Sequence, residues 1–210
     1  MTVTAQVSRQ ERKERTRQAL LDAALHLLAD RGFASLSLRE VAKEAGVVPT
    51  AFYRHFTSMD DLGVALVGES MRTLRGMIRS ARSQAASSSG IIQASVATLQ
   101  QHVRANTEHF RFVVRQRYGG AGPVRDAVTA ELRLFSSELA VDLARFENLR
   151  EWSAEDLHMI ADLIVTAMLG TALELLEAHP SDTEADARIV RLAEKRLRLI
   201  VLGVPAWRSE

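Results

Sequence analysis

"SLREVAKEAGVVPTAFYRHF", residues 37–56, predicts two short helices joined by a tight turn. Ser37 and Glu40 have the spacing of a capping box, in which the serine oxygen accepts a hydrogen bond from the third backbone N–H of the helix and the glutamate accepts one from the serine's own amide. The first helix is expected to stop at Gly46, because glycine tolerates the backbone angles of a helix end. A second helix can begin at Pro49, since a first-turn residue needs no N–H.

The second short helix has room for about seven residues, and isolated helices below roughly 12 residues are marginal in water. Phe52 and Phe56, four residues apart, fall on one face and can hold the helix against its neighbours. Polar side chains remain on the other face, as expected for a helix-turn-helix whose second helix enters the major groove of DNA. The residues predicted to contact DNA are Arg17, Ser37, Arg39, Lys43, Thr50, Ala51, Tyr53, Arg54 and His55.

Helical spacing of apolar residues continues along the chain, and no stretch alternates for long enough to predict a strand, so the predicted fold class is all-α. Gly32 is expected to end the first helix in a left-handed turn. A DNA-binding domain of three helices is predicted over residues 1–58, and a helical ligand-binding and dimerisation domain over residues 59–210. The predicted helices cover residues 10–30, 38–45, a short segment from 49, and 59–80, 91–104, 107–118, 123–148, 154–178 and 184–202.

Composition excludes several kinds of site. The 210 residues are 47% apolar, which is enough to bury a core, and they include no cysteine. A disulfide, a thiol nucleophile and a cysteine metal site are therefore excluded, and the sequence predicts no metal site. Because the nucleophile-elbow, dinucleotide-binding and zinc-protease motifs are also missing, we predict no catalytic residues and no enzymatic activity.

The charge of the chain is concentrated rather than large. The net charge is +1, but residues 1–17 hold five basic side chains against two acids. No signal-peptide pattern is present, and the apolar stretch 159–177 is interrupted by Asp162 and Glu174, so it is interpreted as a buried helix rather than a membrane span. These features predict a cytoplasmic protein with no membrane association.

Residues 10–62 resemble the DNA-binding domain of the tetracycline-repressor (TetR) family. The resemblance rests on "RGF" at the end of the first helix, "SLREVAKEAGV", "FYRHF" and "SMDDL", in that order. It implies a transcriptional repressor that binds double-stranded DNA at a palindromic operator. Many family members carry a phosphate-binding lysine where this chain has Met59, which shifts that role to Tyr53, His55 and Lys43.

A finer resemblance involves "DDLGVALVGES", "NTEHFRFVVRQRYGG" and "ELRLFSSELAVDL". Together with the helix-turn-helix, these stretches resemble the FabR- and DesT-type repressors of unsaturated fatty acid synthesis. The resemblance implies no cofactor, an effector that is a long-chain acyl-CoA, saturated or unsaturated, and control of fatty acid desaturation genes. The sequence leaves open whether the effector weakens or strengthens DNA binding.

Many side chains between residues 91 and 178 are aliphatic, and an acyl chain gains roughly 0.8 kcal/mol for each buried methylene. Arginines on the helix 107–118 are candidates for the phosphates of CoA, although contacts with the DNA-binding domain are an alternative for them. For each apolar position, an ordinary core role is the alternative. The candidate ligand-binding residues are Leu99, Val103, Phe110, Arg111, Val114, Arg115, Arg117, Leu132, Phe135, Leu139, Met159, Leu163, Ala167 and Met168.

The last two predicted helices, 154–178 and 184–202, carry more apolar surface than one domain can cover. A homodimer that packs them as a four-helix interface would bury this surface and place two reading helices about one DNA turn (roughly 34–36 Å), or a little more, apart. The alternative is a larger monomeric core.

Other functions remain open from the residues alone. One is a repressor of an efflux or catabolic operon that responds to a different hydrophobic molecule. The others are an acyl-thioester enzyme and a DNA-binding protein that organises the chromosome.

Overall fold

The computed structural model describes residues 8–29, 31–84 and 90–208, with the backbone alone for residues 76–84. Within these ranges the chain forms helices and turns without a strand, which confirms the all-α fold class. Short 3-10 segments occur at Phe33–Ser35, Glu147–Leu149 and Val204–Ala206. The α-helices are α1 (Arg9–Leu27), α2 (Leu38–Glu44), α3 (Pro49–Phe52), α4 (Met59–Gln84), α5 (Ile91–Ala105), α6 (Thr107–Gly119), α7 (Gly122–Leu143), α8 (Ala154–Glu177) and α9 (Thr183–Gly203).

The predicted signals around α2 are confirmed. Ser37 Oγ accepts from the backbone N–H of Glu40 at 3.3 Å, and the Glu40 carboxylate accepts from the Ser37 amide at 3.0 Å, as a capping box requires. Gly46 has a φ of 68°, the left-handed conformation that favours glycine after a helix end. Local chemistry thus fixes both ends of the first short helix.

Four predicted helix ends are wrong, since α4 also continues to Gln84, four residues past its predicted end at residue 80. Helix α1 stops at Leu27, and Gly32 has an extended φ of −78° instead of a left-handed one, because the chain enters a 3-10 turn directly after it. Asp30, the predicted last residue of this helix, lies outside the described residues. Helix α3 is four residues long, and the chain continues as a turn through His55, whose amide donates to the Phe52 carbonyl at 2.8 Å. Helix α7 ends at Leu143 and not at residue 148.

The helix-turn-helix shares its core with the helices that follow it. One apolar cluster joins Leu20 and Phe52 to Phe112 of α6 and to Val124 of α7. Gly63 of α4 lies at this junction, where an added Cβ would be 2.5 Å from Phe33 and 2.6 Å from Val124. The first three helices therefore pack in one core with α4, α6 and α7. The domain boundary between residues 58 and 59 stays a prediction.

Helix α8 packs against α5, α6, α7 and α9 in the second half of the molecule. By length and composition alone, it is the one helix in the described part of the chain that could cross a membrane. Buried residues such as Ile160, Val165 and Leu175 contact neighbouring helices, and Ser136 donates to the Asp162 carboxylate at 3.2 Å. These contacts are typical of a helix in a protein bundle.

Candidate nucleic-acid interface and effector domain

Two phenylalanines anchor α3 to the rest of the protein. Phe52 is fully buried and Phe56 is 2% exposed, and their ring centroids are 5.5 Å apart. Both belong to the apolar cluster formed with α1 and α4. A helix of four residues has too few hydrogen bonds to be stable alone, so this burial is what holds it.

The opposite side of α3 faces solvent. Tyr53 is 65% exposed, and its ring lies edge-on to Phe52 with centroids 5.8 Å apart, which orients the phenol outward. Thr50 and Arg54 are also exposed, while Ala51 is half-buried. Hydroxyl and guanidinium groups on one protruding turn can bind phosphate oxygens or base edges. The structure therefore brings together Thr50, Tyr53 and Arg54 as predicted.

Helix α2 and its N-cap contribute two exposed cations to the candidate interface, together with one hydroxyl that is already hydrogen-bonded within the protein. Arg39 and Lys43 are exposed. Ser37, also predicted to contact DNA, donates its hydroxyl to the Glu40 carboxylate at 2.7 Å. The hydrogen bonds from Ser37 and the neighbouring Arg31 lower the pKa of Glu40 to about 2. Glu40 is thus ionised at neutral pH and holds the start of α2 in place.

Arg17 and His55, both predicted to contact DNA, are less exposed than Thr50, Tyr53 and Arg54. Arg17 is half-buried, with its guanidinium carbon 5.1 Å from the centroid of the Phe56 ring, a cation–π geometry. His55 is half-buried, and its Nδ1 has no hydrogen-bond partner among the described residues. Burial, and then the positive charges of Lys13 and Arg17, lower the pKa of His55. At neutral pH this imidazole is therefore a neutral group and does not supply a charge for phosphate.

The sequence-based candidates omit one exposed residue next to the candidate interface. Val48, which caps the start of α3, is 64% exposed beside Thr50. An apolar side chain at this place can contact the methyl group of thymine. The only available signal was its position directly before Pro49, because residues before proline favour extended backbone outside a helix.

Five of the candidate effector residues meet between α5, α6, α8 and α9. Leu99, Val103 and Phe110 are buried in one cluster with half-buried Met168, which also packs against a second cluster together with Ala167. All five side chains are apolar, and four of them are aliphatic. The cluster is apolar, which is the chemistry that contacts an acyl chain in a ligand site.

The other apolar candidates lie elsewhere. Leu132 and Phe135 pack against the core of the helix-turn-helix, whereas Leu139 is half-buried and Val114 is buried. Met159 and Leu163 are 38% and 51% exposed and line a surface cleft of about 640 Å³ between α7 and α8. The structure does not bring this second group together with the core between α5 and α8.

The three candidate arginines of α6 contact protein groups. Arg111 Nη1 donates to the carbonyl of Ala29 at 3.2 Å, and Arg115 Nη1 lies 3.0 Å from the carbonyl of Leu28. Arg117 Nη1 is 3.4 Å from the hydroxyl of Thr129 in α7. Arg111 and Arg115 thus make contacts with the DNA-binding part, one of the two roles that their sequence pattern allowed.

Comparisons with known proteins match two stretches of the chain to family models. A family model described as bacterial regulatory proteins, tetR family, matches residues 20–66. A second model, described as tetracyclin repressor-like, C-terminal domain, matches residues 88–201, which is more than half of the chain.

Solved structures with a similar fold include complexes with two different small molecules. The fatty acid degradation regulator FadR from Bacillus halodurans is 16% identical with a TM-score of 0.67, and the match covers 93% of this chain and 97% of that one. FadR from Bacillus subtilis, in complex with stearoyl-CoA, is 17% identical with a TM-score of 0.66, over 89% and 98%. The multidrug binding protein EbrR, complexed with imidazole, is 20% identical with a TM-score of 0.63, over 88% and 93%. At these identities the likeness shows the fold alone.

Proposed function

Because the chain belongs to the TetR family of bacterial regulatory proteins, we propose that it is a transcriptional repressor that binds a palindromic operator as a homodimer and responds to long-chain acyl-CoA. Family membership establishes a DNA-binding regulator with a ligand-binding domain. The finer assignment to acyl-CoA and to fatty acid desaturation genes is our proposal. We also propose that the protein is cytoplasmic and has no enzymatic activity.

The single observation that carries the DNA-binding role is the two-sided nature of α3. Its buried side is made of Phe52 and Phe56, and its exposed side presents Thr50, Tyr53 and Arg54. Such a turn can enter a major groove while its scaffold stays folded. In this proposal, Arg39 and Lys43 of α2, which are exposed, bind the flanking phosphates and thereby fix register and orientation.

Support for a homodimer comes from apolar side chains that the single chain leaves uncovered. Met159 and Leu163, four residues apart on α8, are 38% and 51% exposed. Leu199 and Leu202 of α9 are 72% and 69% exposed. A two-fold interface between these helices would bury the same surface on both subunits and set the distance between the two reading helices.

The acyl-CoA proposal rests on chemistry and on fold likeness. The core around Leu99, Val103 and Met168 is aliphatic, and contact with methylenes is what an acyl chain offers. The FadR structure with stearoyl-CoA has the same fold, at an identity too low to carry a ligand across. A bent unsaturated chain and a straight saturated chain fill such a core differently, so the two are expected to act with different strength.

A second candidate function keeps the DNA-binding role and changes the effector. EbrR shares the fold and is a multidrug binding protein. The apolar core between α5 and α8 also suits a different hydrophobic molecule. The protein would then repress an efflux or catabolic operon.

A mobility-shift titration tests the proposal. The DNA is first selected from a random library and compared with promoters of fatty acid desaturation genes. Stearoyl-CoA, oleoyl-CoA, free CoA and a hydrophobic cationic dye are then titrated against the complex. We expect one of the two acyl-CoAs to change operator affinity at least about tenfold, as effector coupling commonly does, while free CoA has no effect. A response to the dye alone would favour the second candidate, and failure to select any DNA would overturn both.

A further inference from the structure

Two arginines of α6 donate hydrogen bonds to the backbone just after α1. Arg115 Nη1 is within 3.0 to 3.3 Å of three backbone carbonyls, those of Leu28, Ala29 and Arg31. Arg111 Nη1 donates to the Ala29 carbonyl at 3.2 Å. These carbonyls belong to the C-cap residue and to the connection that follows α1, where the negative end of the helix dipole also favours a nearby cation.

The same contacts continue to the helix-turn-helix. Arg31 accepts from Arg115 through its carbonyl and donates from its own Nη1 to the Glu40 carboxylate at 2.9 Å. Glu40 in turn accepts from the amide of Ser37, the residue that caps α2. A continuous chain of polar contacts therefore runs from α6 through the connection after α1 to the start of α2.

The other side of α6 faces the proposed effector core. Phe110, adjacent to Arg111 in the chain, is 2% exposed and packs in the cluster of Leu99 and Val103. One helix of 13 residues thus contacts both the apolar core and the end of α1. A shift of α6 that follows a displacement of Phe110 would therefore carry Arg111 and Arg115 with it, because all three side chains belong to the same helix.

We infer that Arg115, with Arg111 beside it, is a positioning residue that couples the effector domain to the DNA-reading helices, and is not a ligand of the CoA phosphates. The coupling to effector rests on the proposed function. The mechanical part, in which Arg115 holds the connection between α1 and α2, does not. The experiment therefore reads the two parts separately.

Hydrogen exchange tests the mechanical part without DNA or effector. Arg115→Gln removes the charged donor, and Arg145→Gln is the matched control, because Arg145 is 77% exposed and pairs at 3.5 Å with Asp142 of its own turn. We expect amides of residues 31–41 to exchange at least about tenfold faster in R115Q than in R145Q or the unaltered protein. Unchanged exchange across this segment would overturn the inference.

Operator and acyl-CoA titrations test the coupling. In effector-free R115Q we expect operator affinity to fall about three- to tenfold, and the ratio of affinities with and without stearoyl-CoA or oleoyl-CoA to move towards one. The affinity for the acyl-CoA itself, measured by calorimetry without DNA, is expected to stay within about twofold. Loss of acyl-CoA affinity with normal operator binding would instead make Arg115 a phosphate ligand.

A second substitution separates coupling from a folding defect. Arg31→Gln breaks the contact with Glu40 while leaving α6 unaltered, and circular dichroism checks that both variants are folded. R31Q is expected to weaken operator binding as R115Q does, whereas Arg115→Lys, which keeps the charge, recovers part of the loss. If no acyl-CoA acts on the unaltered protein, the proposed effector fails, while exchange and operator affinity still decide the role of Arg115. An R31Q variant with normal operator affinity would break the proposed chain of contacts.

Discussion

Helices α3 and α8 both leave side chains in solvent, but the chemistry of those side chains differs. The four residues of α3 and the turn after it expose a phenol, a hydroxyl and a guanidinium, all of which form hydrogen bonds. Helix α8 has 24 residues and exposes, next to polar side chains such as His158 and Asp162, the apolar Met159 and Leu163, which form none. The comparison teaches that exposure alone does not identify a partner. Hydrogen-bonding groups suit nucleic acid, and aliphatic groups suit another protein surface.

The largest expected effect comes from removing the buried side of α3. Phe52→Ala deletes a ring that is fully buried against α1 and α4, and core Phe→Ala changes typically cost about 3–5 kcal/mol. We expect the free energy of unfolding to fall by about that amount, with loss of operator binding. Urea denaturation followed by circular dichroism measures it. A stability loss below about 1 kcal/mol would mean that this ring is not what holds α3.

The next effect concerns the apolar face of α8. Leu163→Arg places a charge on the proposed two-fold interface, and burying a leucine in each subunit contributes roughly 1.5–3 kcal/mol. We therefore expect the dimer dissociation constant to rise at least about hundredfold, as measured by analytical ultracentrifugation.

The matched control for Leu163→Arg lies on α7. Val141 is 63% exposed but belongs to neither helix of the proposed interface, so Val141→Arg is expected to leave the dimer intact. If Val141→Arg splits the dimer and Leu163→Arg does not, the interface lies on α7. The exposed apolar side chains of α8 would then not indicate a protein partner.

A smaller effect is expected on the exposed side of α3. Tyr53→Ala removes a side chain that is 65% exposed, so stability should change by less than about 0.5 kcal/mol. A hydrogen bond to a charged group contributes about 1.5–3 kcal/mol, so operator affinity is expected to fall roughly tenfold to hundredfold. Fluorescence anisotropy measures the affinity, and Tyr53→Phe isolates the hydroxyl. Normal operator binding by Y53A would remove Tyr53 from the interface.

The helix-turn-helix could be predicted from sequence because its determinants are local. The capping box of Ser37 and Glu40, the turn at Gly46 and the four-residue spacing of Phe52 and Phe56 are each visible within a few positions. The end of α1 could not be predicted in the same way. The carbonyls directly after it are bound by Arg115, more than 80 positions away, and Gly32 is extended because it leads into a 3-10 turn.

The effector domain was predictable only in part, for the same reason. Periodicity identified which residues are apolar but not which helix face meets which neighbour. Leu99 and Phe110 face a common core, whereas Leu163 has the same hydrophobicity and lies outside it. The roles of Arg111 and Arg115 depend on where α6 passes α1, which no local pattern encodes.

The smallest expected effect is a pH dependence of stability that arises from two half-buried histidines, His55 at the base of α3 and His109 in α6. Burial lowers the pKa of His109, whose Nδ1 lies 3.0 Å from the hydroxyl of buried Ser70, and the nearby carboxylates of Glu69, Glu108 and Asp22 only partly oppose this shift. The pKa of His55 is lowered as well, first by burial. Each folded-state pKa is below the ordinary value of about 6.5, so the unfolded chain binds more protons as the pH falls below that value.

Both histidines therefore contribute stability that is complete above about pH 6.5 and is lost as the pH falls through their folded-state pKa values. We expect a lower melting temperature at pH 5.5 than at pH 7.5, measured by calorimetry, and a smaller difference in His109→Gln. Glu40 does not interfere, because its pKa shift from 4.5 to about 2 acts only at lower pH. An identical pH difference in H109Q would assign the whole effect to His55 at the base of α3, and the buried contact between α4 and α6 would then be insensitive to pH.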